Sequence, residues 1–570
     1  MPTGAQLLVV ALKAHGVDTI FGVPGIHNLA IYDALADEPA IRVVTTRDER
    51  GAGHMADGYA RATGRPGVCL TVPGPGVTNA LTAIGEAYAD SSPVLLLASQ
   101  LPSGTVAVDR EDFHQLRDSG AVLASVTQWG VRPCRAEEIG PAVREAFRRF
   151  QTGRPRPCYL DLPMDLLGAN VDVSVPARPA DANGRRRDSA TDAEVGRAAD
   201  VLMGASRPVL LVGGGAWKAG EPLRELAERL SIPVVMTSSG KGVIPEDHAL
   251  SLGDGWMAHQ LGREALERAD CVLAVGVRFG PLTTSWWTLQ LSGQVIHVDI
   301  DPTEIGKHVQ ASVGIVGDAR QVMEALVTQL RDRDGVTRRP WLDVVDLRER
   351  RREAIRARAP DAVATLEGLR RVLPDAALVF NDINGIACWG AGAFICRQPR
   401  TFHYPIGFGC LGFALPAAIG AKLARPETPV LALCGDGGFL FSGHELATAV
   451  RERAAVVAVV FNDHAYGTIK ADQNHRYPNR RSLGSDLRSP DFVRYAEAFG
   501  ASGCRVDSVH KVPEAVAAAL EHDGPTVIEA PCPQVLPPWI ILDEERARHV
   551  GGASTAAHQE PEEGRTRGLA

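Results

Sequence analysis

Residues 434–440 read CGDGGFL and follow the apolar run PVLALC at 429–434. Asp436 therefore stands between glycines at the tip of a buried strand, where a helix should begin. The next apolar run, AVVAVVF at 455–461, ends in Asn462 and Asp463. A second carboxylate thus stands at the tip of a second strand. Glycines at a strand-to-helix turn let backbone N–H groups approach an anion, and the helix N-terminus adds a favourable dipole. A phosphate suits Gly435, Gly437 and Gly438, but Asp436 repels it unless a cation lies between them. Mg2+ takes oxygen ligands and bridges one or two carboxylates to phosphates. Asp436, Asp463 and a nearby backbone carbonyl supply such ligands. Adjacent strand ends lie about 5 Å apart, close enough to share one ion. The chemistry suggested is a diphosphate held through a divalent cation. A second reading stays open here: Asp436 caps the next helix and Asp463 makes an Asx turn.

Those two tips need a sheet to position them. Strand-like runs alternate with helical patterns along the chain: IRVVTT, GVCLTV, PVLLLAS, PCYLDLP, PVLLVGG, PVVMTS, CVLAVGV, QVIHVDI, PVLALCGD, VVAVVF and PTVIEAP. The runs are continuously apolar rather than alternating. That pattern marks parallel strands buried on both faces beneath helices, an α/β class. At 570 residues the length predicts about three to four domains. Two polar stretches divide the chain, PARPADANGRRRDSATD at 176–192 and the Arg-rich 331–360, whose arginines read as solvated faces. Three blocks result, 1–165, 190–330 and 360–535, and the tail 549–570 reads as disordered. The first and third blocks echo one another, each ending a strand in a Gly-rich turn before a helix.

Composition narrows the function. Hydrophobic residues make up 45% and charged residues 22%, with a net charge of −8. This gives no reason to expect nucleic acid or an anionic membrane as a partner. No run approaches the roughly 18 apolar residues of a membrane span, and no basic leader or cleavage site is legible near Met1. The ten cysteines show no CxxC spacing. They read as buried free thiols of a reducing cytoplasm, not as zinc ligands.

The spacing of GDGG and Asn462-Asp463 resembles the thiamine-diphosphate motif. With FGVPG (21–25), RDERGAGHMADGYARATGRPGV (47–68), PGPGVTNAL (73–81), GFGCLGFALPAAIGA (407–421) and VDIDPTEIGK (298–307), nearly the whole chain is similar to the acetolactate synthase, 2-oxo acid decarboxylase and benzaldehyde lyase superfamily. The resemblance implies an aminopyrimidine-binding domain (1–165), a central Rossmann-like domain (190–330) and a diphosphate- and Mg2+-binding domain (360–535). It also implies thiamine diphosphate shared between two subunits, hence a homodimer at least, with homotetramers common. Glu49 matches the glutamate that hydrogen-bonds the aminopyrimidine. Pro73 and Asn79 belong to the matched turn beside it. Leu411 matches the apolar wedge that bends the cofactor, and the Gly409 carbonyl should accept from its exocyclic amine. Asp436 and Asp463 take the metal roles with the carbonyl of Ala465. Asp463 stands where the family commonly has asparagine.

On the substrate side the resemblance places His27, His114 and Gln115. His114 replaces the usual phenylalanine of acetolactate synthases, and the adjacent histidine pair of pyruvate decarboxylases is absent. His54 reads as a packing residue. Where relatives carry Gly-Gln-His, this chain has Asp382-Ile383-Asn384, so diphosphate contacts there fall to backbone or Asn384. Acetolactate synthases also bind a non-redox FAD in the central domain. Here GGGAWKAG (213–220) and Arg278 remain, but the acids that usually follow Arg278 are gone, and FAD is left open. The implied activity is decarboxylation of a 2-oxo acid with carboligation to an acceptor carbonyl. The alternatives are simple decarboxylation, as in decarboxylases of guanidino or aromatic 2-oxo acids, a hydroxyketone lyase, and a catalytically silent subunit. The loop 471–492 is expected to cover the site.

Overall fold

The computed structural model describes residues 1–106, 108, 110–172, 190–254, 261–331 and 339–540. The tail 549–570 and most of the first linker lie outside the described residues. Continuous runs of β-branched and leucine residues have no polar face to leave in water, so each becomes a strand covered on both sides. Three six-stranded sheets result, every recorded strand pair within them parallel.

The first sheet contains β1 (Thr19–Gly22), β2 (Arg42–Thr45), β3 (Gly67–Thr71), β4 (Val94–Gln100), β5 (Trp129–Val131) and β6 (Cys158–Pro163), in the order β2-β1-β3-β4-β6-β5. The second contains β7 (Pro208–Val212), β8 (Val234–Met236), β9 (Ser251–Asp254), β10 (Cys271–Val275), β11 (Gln294–Asp299) and β12 (Val313–Val316). Its order, β12-β11-β10-β7-β8-β9, is that of a doubly wound Rossmann-type sheet. The third contains β13 (Leu378–Asn381), β14 (Phe402–His403), β15 (Val430–Gly435), β16 (Val456–Asn462), β17 (Ser502–Arg505) and β18 (Thr526–Pro531), in the order β14-β13-β15-β16-β18-β17. That order repeats the first sheet strand for strand, so the echo between the outer blocks is one of topology.

The outer two blocks pack through two helices, Glu49–Thr63 and Ala414–Ala424. They cross almost backbone to backbone. A Cβ on Gly58 would lie 1.9 Å from the Ala417 carbonyl oxygen, and one on Gly420 would lie 2.0 Å from that of Met55. His54 is buried on this seam, edge-on to Phe413 at 5.6 Å. Arg61 ties the seam with ion pairs to Asp57 (2.9 Å) and Asp90 (3.1 Å) and a bond to the Tyr404 carbonyl.

Two expectations are corrected. The Arg-rich stretch is not wholly a solvated face: the Val344–Arg358 helix straps the central sheet. Its Arg351 is buried and donates to the Leu252 carbonyl at 2.7 Å. And 471–492 is not all loop, since 471–476 complete the helix Gly467–Arg476.

Candidate active site

In the third sheet the strand order reverses between β13 and β15, and open α/β sheets bind ligands outside the carboxyl ends at such a point. A cleft of about 370 Å3 opens there. Its walls include Ile383, Asn384, Gly409, Leu411, Asp436 and Asp463, together with Gly435, Gly437, Gly438 and Ala465. The register that pairs Gly435 with Phe461 brings both strand tips to one edge. The two carboxylates come close enough that Asp436 raises the affinity of Asp463 for its proton. Burial, then this neighbour, push Asp463 to about 7.

Asp436 is buried. One oxygen accepts from the Ser489 hydroxyl, while Oδ1 has no partner among the described residues. The helix Asp436–Leu440 is capped by Gly435 without a side-chain bond, so Asp436 is not its cap. Asp463 does make the local turn contact, accepting from the Ala465 N–H at 3.2 Å. An orphaned buried carboxylate oxygen facing a second carboxylate fits a divalent cation, which would satisfy both. A Cβ on Gly437 would strike the Tyr466 ring at 2.5 Å, so this turn of the cradle admits no side chain.

Asn384 is buried and its polar atoms are committed. It donates to the Asp382 and Leu433 carbonyls and accepts from the Ala387 N–H. Asp382, which sequence reasoning left without a role, accepts from the N–H groups of Phe413 and Ala414 at 3.0 and 2.9 Å. It thereby positions the turn that follows Leu411. Burial pushes Asp382 to about 7.

The first sheet builds a separate constellation. Glu49 opens the Glu49–Thr63 helix, and its Oε2 accepts from the Asn79 amide at 3.0 Å. Buried Pro73 ends the segment after β3. Glu445, from the third block, was also missed. Buried itself, it accepts from the N–H groups of Arg47 and Asp48 and the Thr448 hydroxyl. It sets where the Glu49 helix starts, and no sequence signal distinguishes it from a surface glutamate.

His27 is buried in the turn after β1, and its ring stacks on His114 at 5.3 Å. Phe113 stacks on His114 at 4.0 Å. A histidine pair therefore exists, built from two segments rather than two neighbouring residues. Burial, then the closeness of His114, hold His27 below the usual histidine range. Gln115 serves its own loop: it donates to the Val108 carbonyl at 2.6 Å and accepts from the Asp112 N–H at 2.9 Å. None of Glu49, Asn79, His27, His114 and Gln115 lines the cleft over Asp436.

A larger cavity, about 990 Å3, lies among the three sheets and includes Gly214, Gly215, Arg154 and Arg278. Arg278 donates to the Ala89 carbonyl at 2.6 Å, and Arg154 pairs with Glu304 at 3.0 Å.

The fold is α/β, with a cleft that holds two carboxylates at the switch point of its last sheet. The comparisons with known proteins agree. Residues 2–122 match the N-terminal TPP binding domain of thiamine pyrophosphate enzymes, 195–326 their central domain, and 382–530 their C-terminal TPP binding domain. The chain belongs to the thiamine pyrophosphate enzyme family and is a thiamine-diphosphate-dependent enzyme. It is 38% identical to a probable 2-ketoarginine decarboxylase of Pseudomonas aeruginosa, over 92% of this chain and 93% of that one. It is 35% identical to a probable acetolactate synthase large subunit of Methanocaldococcus jannaschii (92% and 91%). It is 36% identical to an acetolactate synthase of Mycobacterium avium (92% and 87%).

Proposed function

We propose that this chain decarboxylates a 2-oxo acid with thiamine diphosphate held through Mg2+, and delivers a proton to the product. The carboxylate pair at the tips of β15 and β16, one oxygen of it buried and without a partner among the described residues, carries the cofactor part of the proposal, and the relative named a probable 2-ketoarginine decarboxylase supports the decarboxylation. When bound, thiamine diphosphate supplies the electron sink for the electrons of the breaking C–C bond. Asp436, Asp463 and the carbonyl of Ala465 would hold the metal, and the backbone of Gly437 and Gly438 the diphosphate. Leu411 stands as the wedge, and the Gly409 carbonyl as acceptor for the exocyclic amine. Glu49, oriented by Asn79 through Oε2, would hold a proton at Oε1 where the aminopyrimidine binds. His27 and His114 each keep a buried Nδ1 without a partner among the described residues, so the stacked pair can move a proton toward the reacting carbon.

The Glu49 constellation lies outside the cleft of its own chain. We therefore read the working unit as a homo-oligomer in which one copy's Glu49 faces another copy's cleft. Large apolar side chains lie open around both halves: Ile26 and Phe113 near the histidines, Phe408 and Ile469 near the cleft.

A second reading is carboligation, in which an acceptor carbonyl rather than a proton captures the fragment. It is favoured by the relatives named acetolactate synthase. In either case FAD plays no part in a step; if it binds, it takes the larger cavity, and the absorbance spectrum of the purified protein reveals it. The two readings separate by stoichiometry. Protein, thiamine diphosphate and Mg2+ are incubated with a panel of 2-oxo acids, and CO2 and products are quantified by mass spectrometry. Aldehyde equal to CO2, even with acceptor in excess, is the expected result. A 2-hydroxyketone or acetohydroxy acid that accounts for the CO2 establishes the second reading, and no CO2 from any 2-oxo acid sinks both.

A further inference from the structure

The helix Gly467–Arg476 leads away from the cleft. Its first residues, Gly467, Thr468 and Ile469, line the cleft beside Asp463. Asp472 follows Thr468 by four residues and Ile469 by three, so it lies on the same helix face. It sits about 6 Å farther along the axis. The segment 533–539 runs back along this helix: Pro533 lines the cleft, Gln534 bonds the Gly467 carbonyl at 3.3 Å, and Trp539 reaches Asp472.

Asp472 is half-buried there. The Trp539 indole N–H straddles its two oxygens at 3.3 and 3.4 Å, and it makes no salt bridge among the described residues. Lys470, two residues away, turns instead to Asp486 at 2.6 Å. A carboxylate has about four acceptor positions, and one long bond leaves most of them open. A half-buried carboxylate with spare acceptors is suited to a cation, a guanidinium or an ammonium, that donates to the acceptor positions Trp539 leaves open.

We infer that Asp472 is a specificity residue that selects a 2-oxo acid carrying a cation, a guanidinium or an ammonium, at the far end of its chain. The inference rests on the proposed decarboxylation. It fits the geometry because an extended chain of about five bonds from the 2-oxo carbon spans roughly the same distance as the helix rise from Thr468 to Asp472. It also agrees with the printed name of the Pseudomonas relative, a probable 2-ketoarginine decarboxylase.

The test compares the full-length holoenzyme with its Asp472→Asn variant on two substrates, 5-guanidino-2-oxopentanoate and 2-oxoheptanoate, whose chain end is neutral. The ratio of their kcat/KM values should favour the guanidino acid in the wild type. It should fall by about 10- to 100-fold in the variant, as expected for loss of a charge-assisted pair, with most of the change in KM. Calorimetry with 5-guanidinopentanoate, which lacks the 2-oxo group, should show salt-sensitive binding that the variant loses. A ratio that stays constant in the variant, or a wild type that prefers 2-oxoheptanoate, overturns the assignment. If neither substrate is decarboxylated, the underlying reading fails; the calorimetric comparison then still decides whether Asp472 holds the cation.

Discussion

At the scale of single residues the site turns on two carboxylates that chemistry would keep apart. Asp436 and Asp463 repel each other. Burial first, and then this repulsion, push Asp463 to about 7. A divalent cation relieves the repulsion, and it also satisfies the orphaned Asp436 Oδ1 and bridges to phosphate. Asp436→Ala and Asp463→Ala should therefore each weaken binding of thiamine diphosphate at least 10-fold in the presence of Mg2+, and EDTA should strip the cofactor from the wild type. Calorimetric titration of the cofactor with and without Mg2+ measures this. Equal affinity in the absence of any divalent ion would remove the bridging role. Ser489 and Asp382 are part of the same small region. One bonds Asp436 and the other holds the turn beyond Leu411, and neither belongs to the motif that first marked the site.

At the scale of elements, the long motifs GAGHMADGYA and LPAAIGA do a different job from CGDGG. They are the contact faces of two helices that meet nearly backbone to backbone, and Gly58 and Gly420 are there because nothing larger fits. Gly58→Leu would drive a side chain into the Ala417 carbonyl and force the helices apart. The expected cost is about 3 kcal/mol or more, at the upper end for overpacking. A thermal unfolding midpoint unchanged from wild type would contradict it. The same seam carries Glu445, which holds the start of the Glu49 helix from the other block. The position of Glu49 is thus a property of two packed blocks rather than of its own strand and helix.

At the scale of the whole molecule, two sheets of identical strand order flank a Rossmann-type sheet. Each outer sheet carries half of the proposed site. If one copy's Glu49 serves another copy's cleft, then Glu49→Gln and Asp436→Ala damage different halves. Each variant alone should lose about 100-fold or more of its turnover. Coexpressed in one cell, they should form mixed dimers with one intact site each and recover about a quarter of wild-type activity for random two-fold pairing. Turnover of the coexpressed mixture measures it, and the purified, differently tagged mixed dimer, with one of its two sites intact, should reach about half of wild type. Mixed dimers no more active than either parent would place both halves of the site within one chain.

The sequence by itself determined the α/β class, because apolar runs with no polar face can only be strands buried on both sides. It also determined that two carboxylates meet at one sheet edge, because Asp436 and Asp463 close two such runs and strand tips in one sheet lie side by side. Its apolar runs leave out β1, β5, β9, β12, β13, β14 and β17. Five of these, β5, β9, β12, β14 and β17, are edge strands, covered on fewer sides, and β1 and β13 lie inside their sheets but are only four residues long, too short for a conspicuous run. What needed the tertiary structure was everything that depends on residues distant in the chain. The His27–His114 pair forms only because two loops meet. Glu445 and Asp382 act through backbone groups on other elements, and an acidic side chain carries no mark of that in one dimension. Arg351 looked like one more solvated arginine until the helix carrying it was laid across the Leu252 carbonyl. Asp472 lay in what read as a polar loop, until the helix Gly467–Arg476 put it on the same face as Thr468 and beneath Trp539. Spacing along the chain sets which residues share a strand tip or a helix face; packing between blocks sets which faces meet.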